Sequence, residues 1–153
     1  MGFDIYGVSA RSPEGEYFRN NVWWWRPLWD YIATNCSDIL MAEDIENGSF
    51  NDHWIINEDK ARKIADKLDF LVTTGEAAKY EAEYSRHIKE LPLVKCDCCH
   101  GTGTRDDQYV KGKCNMCDGK GEAKEWKAHY PFSVENVKDF IKFCRDSGGF
   151  AIC

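Results

Sequence analysis

Residues 96–103 read CDCCHGTG and residues 114–121 read CNMCDGKG. Both fit C-x-x-C-x-G-x-G, with Cys96, Cys99, Gly101 and Gly103 in the first copy and Cys114, Cys117, Gly119 and Gly121 in the second. The repetition selects four of the cysteines: Cys98 aligns with Met116 and His100 with Asp118, so neither belongs to the repeated unit. Two thiolates separated by two residues can reach one ion from a tight turn, and two such turns complete the tetrahedron that Zn²⁺ takes with sulfur. Each turn folds backbone amides towards the sulfurs, which needs positive φ or close backbone approach, and glycine allows both. Fourteen residues lie between Cys99 and Cys114, one fewer than the usual window for paired C-x-x-C sites, a shortfall that a hairpin absorbs. The reading is one zinc in a four-cysteine site, with iron in a rubredoxin-like tetrahedron as the chemical competitor. All four positions are protein thiolates, so none is left for water and the metal is structural rather than catalytic.

The same stretch says what the metal is for. Between Lys95 and Gly121 the only sizeable apolar side chains are Tyr109, Val110 and Met116. That is too little apolar surface to hold the segment by burial, so the metal has to supply its folding energy. The stretch resembles the cysteine-rich domain of DnaJ-type chaperones, whose C-x-x-C-x-G-x-G units pair around zinc, and the single-zinc proteins that inhibit the tryptophan-sensing RNA-binding attenuator. The resemblance covers residues 96 to 121. The chaperone domain carries more such units than the two found here, so the resemblance implies a single zinc on Cys96, Cys99, Cys114 and Cys117. The chain has no HPD tripeptide, and the ATPase-stimulating role of the chaperones does not carry over. MGFDIYG, GEYFRNNVWWWRPLWDY and YPFSVENVKDFIKFC, with the closing SGGFAIC, resemble small bacterial and phage proteins with no activity attached to them. That likeness implies an accessory protein directed at a host factor.

Outward from the zinc segment, 153 residues is the size of one domain, with 43% hydrophobic, 14% aromatic and 30% charged residues, a composition that folds and stays hydrated. No run of about 18 apolar residues occurs and the N-terminus lacks the basic start and apolar stretch of a signal peptide, so a cytoplasmic protein with no membrane role is expected. Met1-Gly2 is followed by Tyr6, not by the hydroxyl residue that the myristoylation pattern requires at that position. In a reducing compartment the eight cysteines are read as metal ligands and buried thiols, not disulfides. The net charge of −6 is uneven: residues 1 to 59 hold 11 acids and 3 bases, residues 60 to 153 hold 15 acids and 17 bases. An acidic chain repels phosphate backbones, whose non-specific affinity rests on clustered Lys and Arg.

GFDIYGVSA alternates as a short strand ended by the turn-like RSPEGE. In YFRNNVWWWRPLWDYIATN the aromatic and β-branched density favours a strand up to Trp25, with Pro27 opening a helix to about Thr34. On a strand Trp23 and Trp25 point one way and Trp24 the other. Core is the first reading of these indoles; an aromatic ledge of Trp24 beside Arg19 and Arg26, with Asn20 and Asn21 as polar contacts, is the partner-binding reading. From Asp38 to Asp59 lie seven acids and no Lys or Arg, a solvated face by default and a docking patch for a basic partner by its sharper reading.

Asn57 caps a helix from Glu58 whose Ala61, Ile64, Ala65, Leu68, Leu71 and Val72 share a stripe, ending at Gly75. A second helix, with Ala77, Tyr80, Tyr84, Ile88 and Leu91 on its stripe, stops at Pro92, and the two are expected to form an antiparallel pair. Ser133 caps a last helix, with Phe132 and Val137 as a hydrophobic staple, Val134, Val137, Phe140, Ile141 and Cys144 buried, and Gly148 as terminator. GGFAIC adds a strand beside the N-terminal one.

Cys36 and Cys144 read as small buried hydrophobes; Cys98 is a bystander in the zinc turn, with reactivity beside the thiolates as its alternative. No HExxH, G-x-S-x-G, phosphate-binding glycine loop or EF-hand occurs, and none of His53, His87 and His129 sits by a recognisable nucleophile, so catalysis would need a spatial arrangement such as Cys36 with His53. The expectation is therefore a single α+β domain over residues 1–153, an aromatic-rich sheet with three to four helices and a zinc-binding insertion over 95–125. Its function is expected to be non-enzymatic binding of another protein. Nucleic-acid binding comes second, because Lys111, Lys113, Lys120, Lys124 and Lys127 are nearly cancelled by neighbouring acids. An enzyme with a pocket at Arg19, Arg26, Asp52 or His53 comes third.

Overall fold

Residues 3, 5 and 7 of the N-terminal stretch alternate with polar ones, and the segment forms strand β1 (Gly2–Gly7) with Phe3 and Ile5 buried and Tyr6 exposed. The computed structural model describes residues 1–153, an α+β chain. β2 (Tyr17–Asn21) returns antiparallel to β1 with Asp4 opposite Arg19 and Tyr6 opposite Tyr17. The closing GGFAIC does form a strand beside the first: β8 (Phe150–Ile152) pairs antiparallel with β1. It is also flanked by β3 (Trp54–Ile56), which completes a four-stranded sheet of order β2-β1-β8-β3. One face of this sheet carries Phe3, Ile5, Ile56, Phe150 and Ile152 into the core; the other presents Tyr6, Tyr17, Arg19 and Ile55 to solvent.

The tryptophan triplet corrects the sequence reading. The strand stops at Asn21 and helix α1 runs Val22–Asn35, with all three tryptophans and Pro27 inside it. Asn21 decides the boundary, because its side chain accepts the Trp24 amide at 3.1 Å and caps the helix before the aromatics begin. Pro27 costs the helix one rung of its ladder, but Trp25, Leu28, Trp29 and Ile32 fall on one stripe and are all at most 1% exposed. Burial of that stripe outweighs both the proline and the β propensity of the aromatics. Trp25 stacks on Phe3 and on Trp29, each at 5.5 Å between ring centroids, and meets Phe140 edge-on at 5.8 Å. Its indole N–H donates to the Gly48 carbonyl and that of Trp29 to the Ile45 carbonyl, both at 2.9 Å.

These carbonyls belong to helix α2 (Ala42–Asn47) and its end, inside the acidic stretch read as solvated surface. That reading fails at Asp44, which is 3% exposed. Its carboxylate accepts from the Met41 amide at 2.9 Å and the Trp54 indole at 3.0 Å, and pairs with Lys60 at 2.5 Å. Burial alone would raise this carboxyl; the Lys60 ammonium, the Met41 amide and the Trp54 indole outweigh it and hold the group below the usual range. A carboxyl depressed on folding stabilises the chain above its unfolded value, near 3.9, and that contribution is lost as pH falls through the lower folded value. Asp44→Asn is therefore expected to cost about 1–3 kcal/mol at neutral pH and to flatten the acid limb of a stability-against-pH curve measured by urea unfolding.

Helix α3 (Glu58–Thr73) is capped by Asn57, whose side chain accepts the Lys60 amide at 2.9 Å. Ala61, Ile64, Ala65 and Leu68 are fully buried along it. Its principal neighbour is α5 (Val134–Asp146), which buries Val137, Phe140, Ile141, Phe143 and Cys144. The expected antiparallel pairing of α3 with α4 (Glu76–Glu90) is not found; α4 departs after Thr74 and Gly75, burying only Ala77 fully and resting Tyr80 and Tyr84 on the core. The stripe on α4 is thin, and the aromatic side of α5 is the larger apolar surface available to α3. Arg145 also ties the two, at 2.8 Å from Asp66 and 3.0 Å from Asp69.

The chain divides into two compact units, Met1–Ser85 with Tyr130–Cys153, and Arg86–His129. The first holds the sheet and the aromatic core. The second holds two two-stranded ribbons, β4 (Leu93–Lys95) with β7 (Glu122–Lys124) and β5 (Thr104–Asp106) with β6 (Lys111–Lys113), and a separate buried cluster made of cysteines.

Candidate metal centre

The two C-x-x-C-x-G-x-G copies fold into the same object twice. In the first, the Gly101 amide donates to the Cys96 carbonyl at 3.1 Å, the Thr102 amide to the Cys99 carbonyl at 3.0 Å, and the Gly103 amide to the Cys99 sulfur at 3.2 Å. In the second, Gly119 donates to Cys114 at 3.0 Å, Lys120 to Cys117 at 3.1 Å, and the Gly121 amide to the Cys117 sulfur at 3.2 Å. The copies also clasp each other reciprocally. The Cys96 amide donates to the Gly121 carbonyl and the Cys114 amide to the Gly103 carbonyl, each at 2.9 Å.

Glycine is required where the copies meet. Gly103 and Gly121 have φ of 77° and 76°, and a Cβ there would stand 2.4 Å from the Gly119 carbonyl oxygen and 2.5 Å from that of Gly101. An L side chain is strained at that φ and has no room. His100 and Asp118, set aside in the sequence because they differ, both adopt φ of 52°. What repeats at that position is the backbone conformation, which Asp and His tolerate better than most residues.

Between these turns the four sulfurs of Cys96, Cys99, Cys114 and Cys117 lie within 4.8 Å of one another, and all four residues are buried, at 0% to 5% exposed. Cys99 and Cys117 are 3.7 Å apart and Cys96 and Cys114 4.0 Å apart, sulfur to sulfur. A metal–sulfur bond of about 2.3 Å in a regular tetrahedron puts sulfurs roughly 3.8 Å apart, so the spacing fits one ion. Burial on its own would raise the Cys99 thiol; the Gly103 amide on its sulfur and the neighbouring thiols bring it down to about 6. Cys114 is lowered as well, first through the Cys117 amide. Cys96 moves the other way: the Cys99 amide would lower its thiol, but burial and the Cys99 and Cys117 sulfurs push it up to about 11, so the packed sulfurs cannot all be thiolates without a cation among them. These four residues can hold one metal ion.

Cys98 stands outside the cluster, half-buried. A feature the sequence reading missed is the lysine before each copy. The stems of Lys95 and Lys113 lie against Gly101 and Gly119, with carbon atoms about 3 Å from where a Cβ would be, so the full unit is K-C-x-x-C-x-G-x-G. The signal was present, since both copies begin with KC. Lys113 also pairs with Asp118 at 2.7 Å.

Elsewhere the predicted residues are dispersed. Arg19 and Trp24 line one shallow recess with Met1 and Gly2, whereas Arg26 is exposed outside it. Arg19 lies 3.5 Å from the Asp4 carboxylate. Asn20 is engaged in a reciprocal amide pair with Asn136, at 3.0 and 2.8 Å, and Asn21 caps α1. Cys36 and His53 are not brought together: Cys36 is wholly buried, which pushes its thiol up to about 12, and the His53 Nδ1 meets the Cys153 sulfur at 3.0 Å. No helix is long and apolar enough to cross a membrane. No protein-family model, curated protein or solved structure matches this chain.

Proposed function

We propose that the metal is zinc, that it is structural, and that the chain is a non-enzymatic protein that acts by binding another protein, as a regulator of that partner. The observation that carries the metal reading is the closed cage of four buried sulfurs at tetrahedral spacing; soft thiolate tetrahedra select zinc or iron, and a closed set of four thiolates leaves no open position for catalysis. Charge supports a protein partner over nucleic acid. Residues 86–129 hold 9 bases and 7 acids, a formal +2, and one Zn²⁺ with four thiolates adds −2, leaving nothing for phosphates to gain. The acidic remainder of the chain repels them. The likeness of the cysteine turns to zinc proteins that inhibit another protein is in keeping with this reading.

The test is a tagged pull-down from the native host, with elemental analysis of the same purified sample. One zinc per chain and a reproducible protein partner that survives nuclease treatment are expected. A metal-free or iron-bearing chain would overturn the zinc assignment. Recovery of nucleic acid in place of protein would overturn the partner class.

A further inference from the structure

The unit built from Met1–Ser85 and Tyr130–Cys153 holds 19 acids against 11 bases, a formal −8. A recess of about 250 Å³ opens in it between α1, α3 and α4, lined by Tyr31, Asn35, Leu71, Glu76, Tyr80 and Glu83 among others. Tyr31 is 4% exposed, yet its hydroxyl makes no hydrogen bond within the chain. The ring is packed while the hydroxyl is not: no buried side-chain oxygen of the chain lacks a partner, so the unbonded Tyr31 hydroxyl reaches the open surface of the recess. Asn35 spends its amide N–H on the Tyr31 carbonyl at 2.9 Å and has its side-chain oxygen left over. Glu76 and Glu83 form no ion pair, and neither does Lys79, the one cation in the lining, which sits between them on α4. The recess therefore offers acceptors in excess: two carboxylates, an amide oxygen and a phenol, over an apolar floor of Leu71 and the Tyr80 ring.

We propose that this recess is a cation-recognition pocket that takes an arginine side chain from a basic protein partner. Small-molecule sites run to roughly 300–1,000 Å³, so a smaller recess suits one long side chain better than a whole cofactor. Arginine matches it at both ends: its methylene stem packs on Leu71 and Tyr80, and its five N–H donors meet several acceptors set around one mouth, where lysine brings a single point charge. The aromatic face adds cation–π attraction. Burial, with Tyr80 and Glu76 beside it, pushes the Tyr31 phenol up to about 12, so it stays neutral and available as an acceptor. The surrounding −8 draws a basic partner in and gives its approach a salt-dependent rate.

The pocket rests on the protein-binding reading above, and one experiment separates the two. An acetylated, amidated tetra-arginine peptide is titrated at low salt into the metal-loaded full chain and followed by NMR, with the tetra-citrulline peptide as neutral isostere. Saturable shifts at Tyr31, Asn35 and Tyr80 are expected with arginine and none with citrulline. The Glu76→Gln/Glu83→Gln variant is expected to bind at least tenfold more weakly, while Glu43→Gln/Glu46→Gln, which removes the same charge from α2, stays within twofold. Equal weakening in both variants, or shifts that never reach Tyr31, would overturn the pocket. A pull-down partner retained in full by Glu76→Gln/Glu83→Gln would likewise sink the pocket and leave the protein-binding reading standing; arginine binding at Tyr31 with no protein recovered would do the reverse.

Discussion

Replacing Cys114 by serine, or stripping the metal with a chelator, is expected to unfold the Cys96–Gly121 segment while the aromatic core keeps its fold. Cys114 is fully buried, and its sulfur is one corner of the only buried cluster in the Arg86–His129 unit. Apart from those cysteines the cluster is joined only by half-buried Cys98 and Ala123. Tyr109 is 82% exposed and Met116 41%, so neither contributes a core. Hydrophobic burial thus has almost nothing to hold the two ribbons, whereas a structural zinc contributes roughly 10–16 kcal/mol in apparent binding energy at neutral pH. Amide hydrogen exchange is the measurement. Protection of Gly101, Gly103, Gly119 and Gly121, whose amides bond only to other parts of the same cage, should fall to the unfolded rate in Cys114→Ser. Protection along α3 and α5, which rest on a core of their own, should persist. Cys98→Ser is the control, because Cys98 lies outside the ligand set, and it should leave both metal content and exchange unchanged. A Cys114→Ser chain with protected glycine amides would mean that something other than metal closes the cage.

How much of this could be read beforehand follows from how local the cause is. The cage was legible because it is made twice: chance repeats one C-x-x-C easily, but not its two glycines at fixed offsets, and the paired copies left Cys98 out on sequence grounds alone. The helices α3 and α5 were legible from Asn57 and Ser133, caps whose side-chain hydrogen bonds lie within three residues of them. The strand at the C-terminus beside β1 was expected although no alternation marks it, since Phe150, Ala151 and Ile152 are all buried; its second neighbour was not foreseen. β3 is three residues long and only Ile56 of it is fully buried; its existence depends on Phe150 and Ile152 arriving from about a hundred residues away, which no local pattern records. Asp44 is the same case in polar form. Its bond to the Met41 amide is local, but the composition around it does not set it apart from the six other acids in its stretch, and Lys60 and Trp54, brought in by the fold, complete it as a buried ion. The recess at Tyr31 was invisible for that reason too, since it takes three helices to enclose it.

The tryptophan triplet is the sharpest divergence, and it supplies its own test. Were residues 22–25 a strand, Trp23 and Trp25 would share a face and a change at either would cost about the same. The helix that Asn21 starts separates the three by about 100° each, putting Trp25 wholly inside and leaving Trp23 and Trp24 half-buried. Trp25→Ala is therefore expected to cost about 3–5 kcal/mol. It removes a ring stacked between Phe3 and Trp29 and edged by Phe140, and it strands the Gly48 carbonyl that the indole N–H serves. For a chain of this size each kcal/mol lowers the melting temperature by roughly 2–4 °C, so a fall on the order of 10 °C should be visible by circular dichroism. Trp24→Ala, which gives up a half-exposed ring, should cost about 1 kcal/mol or less. The ratio matters more than either value, since overpacking or relaxation scales a single substitution but does not exchange two neighbours. If Trp24→Ala proved the more damaging of the pair, the register of α1 would be wrong, and with it the placing of Arg19 and Trp24 along a common recess.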